Sequence, residues 1–137
     1  MYVINHEELK SISSKIFESA GATVDESNIV SNHLVENNLV GHDSHGVQFI
    51  PPYVELLQNK HIVTNAKFEI VRESEITATI DGGNGFGQVV ATKAMEIAIK
   101  KAKKSDMSIV TARNHDHIGR LGDYSMMAVK EDMIGIT

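Results

Sequence analysis

Apolar side chains recur at helical spacing through the first part of the chain. Leu9, Ile12, Ile16, Phe17 and Ala20 fall on one face, and recurrence at i, i+3 and i+4 predicts an amphipathic helix. Asn5 precedes His6-Glu7-Glu8 as an N-cap with acidic residues in the first turn, and Gly21 ends the segment. The form repeats from Thr23 to Asn38. Asp25 and Glu26 open it, and Ile29, Val30, His33, Leu34 and Val35 make one stripe. After Gly41 the polar run His42-Asp43-Ser44-His45-Gly46 reads as a turn. A third helical segment through Val54, Leu56 and Leu57 fades near Asn59.

The period changes near residue 67. Residues 68–71 and 76–80 read as strands joined by a polar turn from Arg72 to Glu75. Asp81-Gly82-Gly83-Asn84-Gly85-Phe86-Gly87 reads as a glycine-rich loop, followed by a helix carrying Val89, Val90, Ala94, Met95, Ile97, Ala98, Ile99 and Ala102. Residues 108–112 form a strand of the buried type, 113–123 a polar loop and 124–131 a further helix. The run Met133-Ile134-Gly135-Ile136-Thr137 opens another strand. The pattern thus predicts a helical region over 1–66 and, over 67–137, the first part of an α/β region. Because the chain stops inside an apparent apolar strand, it is expected to be a truncated or split piece.

Bulk properties narrow the partners. The 137 residues are 42% hydrophobic and 23% charged, ordinary values for a globular domain. Aromatic residues make up 5%, so an aliphatic, Met-containing core is expected. The net charge of -5 argues against nucleic acid, which needs a basic face to release counterions. The one basic run, Lys100, Lys101, Lys103 and Lys104, closes a helix whose dipole it complements. With no cysteine there is no disulfide, thiolate metal site or thiol nucleophile. No signal peptide pattern and no apolar run of membrane-spanning length are present, so no membrane partner and a cytoplasmic location are expected.

The glycine run invites a nucleotide-binding reading. Its spacing, however, is G-x-G-x-G, and Gln88 stands where the G-x-G-x-x-G fingerprint needs its last glycine. No acidic residue about 20 positions on has a convincing strand-end placement. A phosphate at the helix N-terminus and a tight turn needing positive φ both remain open.

Histidine carries the remaining chemistry. His115-Asp116-His117 follows a strand and precedes Gly119-Arg120-Leu121-Gly122, and α/β folds place polar site residues at strand C-termini. Imidazole titrates near neutrality. It can therefore give a proton to an alkoxide forming from a ketone, or take one from an alcohol. Arg120, flanked by glycine, suits a phosphate or carboxylate. Metal ligation is the competing account for His42, Asp43, His45, His115, Asp116 and His117, although no H-E-x-x-H or cysteine pattern supports zinc. Spacing alone leaves proton transfer, metal ligation and structural hydrogen bonding open for either cluster.

Three segments together resemble the type 2 malate/L-lactate dehydrogenase family: Asn38 to Val47, Asp81 to Gln88, and Arg113 to Gly122. Within that family the resemblance is greatest to the hydroxycarboxylate dehydrogenase B branch. It implies a non-Rossmann, sulfolactate dehydrogenase-like α/β (α+β-like) fold, in which a helical region precedes a mixed sheet with helices, present here in part. It also implies hydride transfer between NAD or NADP and a small 2-hydroxy or 2-oxo acid, with no bound metal. Partnership as a homodimer, or association with a missing C-terminal half that completes the sheet, is further implied; a piece inactive without that half is the alternative.

By position, His117 matches the proton donor and acceptor, and His45 a residue at the nicotinamide and substrate, also proposed as an acid. Gly119, Arg120 and Leu121 match a cofactor-contacting segment. Tyr53 and Ser44 match the substrate side. Many members carry arginine five residues after the motif serine; here that position is Phe49. The substrate carboxylate is therefore expected to meet its cation elsewhere, which weakens the case for malate or lactate and admits a bulkier or aromatic 2-oxo acid. For Phe49 and Tyr53, core packing on the third helix is the other reading.

Overall fold

A computed structural model describes residues 3–137; Met1 and Tyr2, part of the N-terminal stretch read for a signal, lie outside the described residues. The chain divides between Asn65 and Ala66 into two compact units.

The first unit is helical. Helix α1 spans His6–Ser19, and Asn5 caps it by accepting from the backbone N–H groups of Glu7 and Glu8. Helix α2 spans Val24–Leu39 and opens with a capping box. Thr23 Oγ1 accepts from Glu26 N at 3.2 Å, and Glu26 Oε2 accepts from Thr23 N at 2.9 Å. Glu26 is buried, and its other oxygen accepts from Asn65 N at 2.9 Å, so one carboxylate holds both the start of α2 and the end of the unit. Two 3-10 turns, Asp43–His45 and Val47–Phe49, lead into helix α3, Ile50–Gln58, whose Pro51 and Pro52 stand in its first turn where their missing N–H groups are harmless.

The buried face of α1 differs from the one its apolar spacing predicts. Phe17 is fully buried, but Ile12 and Ile16 are exposed, while Ser13 and Ser14 are buried. Small polar residues occupy the α1–α2 seam, where Ser14 Oγ donates to Asn28 Oδ1 at 2.9 Å. Serine permits close helix approach and satisfies its hydroxyl locally, so periodicity of apolar residues alone selects the wrong edge of the helix. In α2, Val30, His33, Leu34 and Val35 are buried as the stripe predicts.

The second unit is a three-stranded mixed sheet with two helices. Strand β1, Glu69–Glu73, pairs antiparallel with β2, Thr77–Gly85, which pairs parallel with β3, Ile109–His115. Helix α4, Gly87–Ser105, makes the crossover, and α5, Gly122–Val129, follows β3. Ala78, Ile80, Phe86, Val89 and Val90 are buried, as are Tyr124 and Ala128. The lysines closing α4 do more than complement its dipole. Lys101 reaches Glu73 at 2.8 Å and the carbonyl of Ser74 at 2.7 Å, and Lys103 pairs with Glu131.

Four expectations change here. β2 continues through Gly85 and β3 through His115, so much of the expected glycine loop and the first residues of the expected polar loop are strand. The parallel partners Asp81–Arg113 and Gly85–His115 supply the ladder that local sequence does not reveal. β3 is not buried: it is an edge strand in the order β1-β2-β3, and Ile109 is 58% exposed. Residues 133–137 form no strand among the described residues. They lie along α5, where Gly135 approaches Ser125 and the hydroxyls of Thr137 and Ser125 are 2.7 Å apart, with Ile134 and Ile136 exposed. An apolar alternating run becomes a strand only where a neighbour accepts its hydrogen bonds.

Removing the Phe17 ring leaves a cavity in the first unit, so Phe17→Ala is expected to cost about 4 kcal/mol. Ile12→Ala, on the exposed edge of the same helix, should cost under about 1 kcal/mol. Urea unfolding of the two variants checks the reassigned face; equal losses would restore the apolar stripe as the buried one.

Candidate functional site

The two histidine segments belong to different units. In the first, two asparagines at the end of α2 shape the turn. Asn37 is fully buried and donates from Nδ2 to the backbone oxygen of His45 at 2.8 Å. Asn38 Oδ1 accepts from Val47 N at 2.9 Å, and its Nδ2 donates to Asp43 Oδ1. Gly46 sits against this amide: a Cβ there would lie 2.2 Å from Asn38 Oδ1. The turn is therefore wrapped on Asn37 and Asn38, and a side chain at 46 would displace the Asn38 amide.

Its product is a row of rings. His42 and His45 have centroids 4.7 Å apart, His45 and Phe49 6.0 Å, Phe49 and Tyr53 5.4 Å, and Tyr53 and Phe17 6.5 Å. The row runs from exposed His42 to fully buried Phe17, with His45 and Phe49 half-buried between them. Ser44 is exposed, and its Oγ lies 3.1 Å from His45 Nδ1. Tyr53 is 2% exposed, in the core of the unit behind Phe49. The spacing of four between His45, Phe49 and Tyr53 was a signal in the sequence for this row. Asn37 was missed; its only signal was a buried-stripe position held by an amide, which demands a partner.

In the second unit the end of β3 carries His115-Asp116-His117. His115 Nδ1 lies 2.8 Å from the backbone oxygen of Asp116, and Asp116 Oδ1 accepts from His117 N at 2.6 Å. Asp116 N donates to the carbonyl of Gly85 at 3.2 Å. The His117 side chain is exposed and His115 half-buried. Beyond it, Arg120 pairs with Asp123, and the Tyr124 hydroxyl donates to the carbonyl of Ile118, which folds Gly119, Arg120 and Leu121 onto the start of α5. Leu121 is 47% exposed.

The glycine segment is a packing surface. A Cβ on Gly87, the first residue of α4, would lie 2.1 Å from the carbonyl oxygen of Asp116 and 2.3 Å from that of His117. Backbone oxygens therefore pack against the Cα of the first residue of α4, where no side chain fits. Positive φ is required at Gly83 but not at Gly85 or Gly87, so the tight-turn reading holds for one glycine and close approach explains the last.

Asp81 accepts hydrogen bonds from Gly83 N, the Asn114 amide and Arg113 at this end of the sheet. Its carboxyl is held below the usual aspartate range, chiefly by the N–H of Gly83. Partial desolvation opposes the shift, and the Asn114 amide and the Arg113 charge add to it. Among the described residues no group of three or more His, Cys, Asp or Glu side chains is arranged to hold a metal ion, and no helix is long and apolar enough to cross a membrane.

Residues 4–137 match the family described as malate/L-lactate dehydrogenase, and the chain belongs to that family. It is 40% identical over 134 residues to a malate dehydrogenase of Pyrococcus abyssi, a match covering 98% of this chain and 37% of that protein. Identity to hydroxycarboxylate dehydrogenase B of Escherichia coli O157:H7 is 36% over 128 residues, covering 93% and 36%. Among solved structures, sulfolactate dehydrogenase from Methanocaldococcus jannaschii superposes with a TM-score of 0.93 at 37% identity, covering 96% of this chain and 38% of that one. The expected non-Rossmann fold is thereby shown. The chain spans well under half the length of these relatives.

A depressed carboxyl pKa stabilises the fold above the unfolded-state value and loses that contribution as pH falls through the folded-state value. The Asp81 contacts should therefore be constant from pH 7 down to about pH 4, the ordinary aspartate value, and fail only below it, as the folded carboxyl takes up its proton. Amide shifts of Gly83 and the Asn114 side chain, followed by NMR through that range, check this; movement centred near neutrality would contradict it. Gly87→Ala should cost about 2 kcal/mol or more, since the clash is with backbone. Its amide shifts should change most at 115–118, and a silent spectrum there would refute the packing role.

Proposed function

We propose that this chain is the N-terminal portion of a dehydrogenase that moves a hydride between NAD or NADP and a 2-hydroxy or 2-oxo carboxylic acid. The observation that carries the reading is the exposed His117 imidazole, two residues past the C-terminal end of β3 and three before Arg120 in sequence, in a chain of this family. An imidazole in reach of solvent and a nearby guanidinium are the donor set such a cofactor and an acid substrate call for. When bound, the nicotinamide supplies the hydride chemistry.

His117 has the part of holding the proton that the substrate oxygen gains or loses, at a ring nitrogen. Gly119, Arg120 and Leu121 take the cofactor side, with Arg120 offering its charge to an anionic group. His45, half-buried next to His42 in the ring row, takes the nicotinamide and substrate side, and Ser44 Oγ beside its Nδ1 orients that ring. Phe49 and Tyr53 back it with apolar surface. Tyr53 acts on the substrate side through Phe49, since its own ring lies in the core. With phenylalanine at 49, the substrate's cation comes from elsewhere, which leaves room for a bulkier or aromatic 2-oxo acid. The protein works in the cytoplasm as a homodimer or together with the missing portion, with the domain boundary near residue 66.

Calorimetric titration with NADH and with NADPH tests whether the 137 residues hold cofactor by themselves. In the protein continued to family length, His117→Ala should remove turnover of a 2-oxo acid by about 100-fold or more while leaving cofactor affinity within a few-fold. Turnover unchanged in that variant would sink the proton-transfer assignment, and cofactor affinity lost in parallel would move His117 to a binding role.

A further inference from the structure

Between Asp81 and Gly85, β2 advances four residues while β3 advances two, from Arg113 to His115. The excess is taken up by a bulge with Gly83 and Asn84 at positive φ, opposite Asn114, itself at φ 52°. Non-glycine residues adopt that conformation at a cost and keep it only where neighbours enforce it. Nothing in the local turn chemistry enforces it on both strands at once.

The Asp81 carboxylate does. Oδ1 accepts from Gly83 N at 3.0 Å, on the bulge. Oδ2 accepts from Asn114 Nδ2 at 2.8 Å and from Arg113 Nε at 3.1 Å, on β3. One side chain thus ties the irregular stretch of each strand to the other. The seam beneath it is close: a Cβ on Gly82 would lie 2.8 Å from the Asn114 carbonyl, and Gly87 meets the carbonyls of Asp116 and His117. The path of residues 114–117 is therefore fixed from two sides, by the carboxylate at its start and by glycine contacts along its length.

We propose that Asp81 is a positioning residue for His117: by locking the β2 bulge to the end of β3, it sets the backbone that presents the imidazole. The functional weight of this rests on His117 being the proton carrier, but the tie itself does not. Asp81 touches no reacting group, and its effect passes through Arg113 and Asn114 into the following three residues.

Amide hydrogen exchange, read by NMR in the 137-residue chain without cofactor, tests it. Asp81→Ala should speed exchange at the Asp116 and His117 amides about tenfold, the effect of losing charge-assisted hydrogen bonds. The β1–β2 ladder amides and those of α4 should stay within about twofold. Asp81→Asn keeps one carbonyl oxygen able to accept from Gly83 or Asn114 and should fall between the alanine variant and the parent. Arg113→Gln, which removes the ion pair alone, should give a smaller rise at the same two amides. If Asp81→Ala does not fold, the asparagine and glutamine variants decide the matter. A rise shared by the whole sheet would reduce Asp81 to a general stabiliser, and no rise at Asp116 and His117 would overturn the proposal. Failure of the proton-carrier reading would show instead as full turnover in His117→Ala with these exchange rates intact.

Discussion

The second unit depends on how closely the backbone of residues 82–87 can approach the backbone of residues 114–117. At Gly87 the margin is so small that a single carbon would overlap two carbonyl oxygens, and at Gly82 it would overlap a third. That closeness lets α4 begin directly after β2 and lets β3 run on to His115 as a paired strand. It also explains why a glycine run after a strand and before a helix need not bind a nucleotide. In a dinucleotide fingerprint the glycines admit a ligand to the helix N-terminus; here they admit the protein's own chain.

The first unit positions its histidines by different means. A buried carboxylate, Glu26, fastens the start of α2 to Asn65, and a buried amide, Asn37, fastens its other end to His45. Between these anchors the helix is packed on α1 through serine as much as through aliphatic side chains. Buried polar groups are stabilising only when their partners are in place, so they specify one arrangement of the turn where an apolar cluster would tolerate several. The ring row from His42 to Phe17 is built on that fixed turn. It runs from the core outward to a residue that solvent can reach.

Family membership fits both arrangements without merging them. The matched relatives named malate, sulfolactate and hydroxycarboxylate dehydrogenases share the fold of this chain at 36–40% identity, so identity does not separate these branches. Locally, Phe49 is the apolar ring that joins His45 to Tyr53 in the row.

Much of this was legible in the sequence. Helical period, capping residues and the change of period near residue 67 placed all five helices and the β1–β2 pair, and the failed fingerprint at Gln88 correctly argued against a Rossmann fold. Histidine segments with their flanking motifs pointed to the family. Those features are local, set by neighbours within a turn or two along the chain. What the sequence left undetermined depends on distant partners. Strand β3 became an exposed edge, residues 133–137 lay along α5 instead of pairing, and serine replaced isoleucine at the α1 seam. The hydrogen-bonded tie at Asp81 is the same kind of fact, because it exists only once Gly83 and Asn114, separated by 31 positions in the chain, are brought to the two sides of one carboxylate. Hydrogen-bond partners across a sheet are chosen by tertiary register, and no periodicity in a single segment encodes which residue will stand opposite.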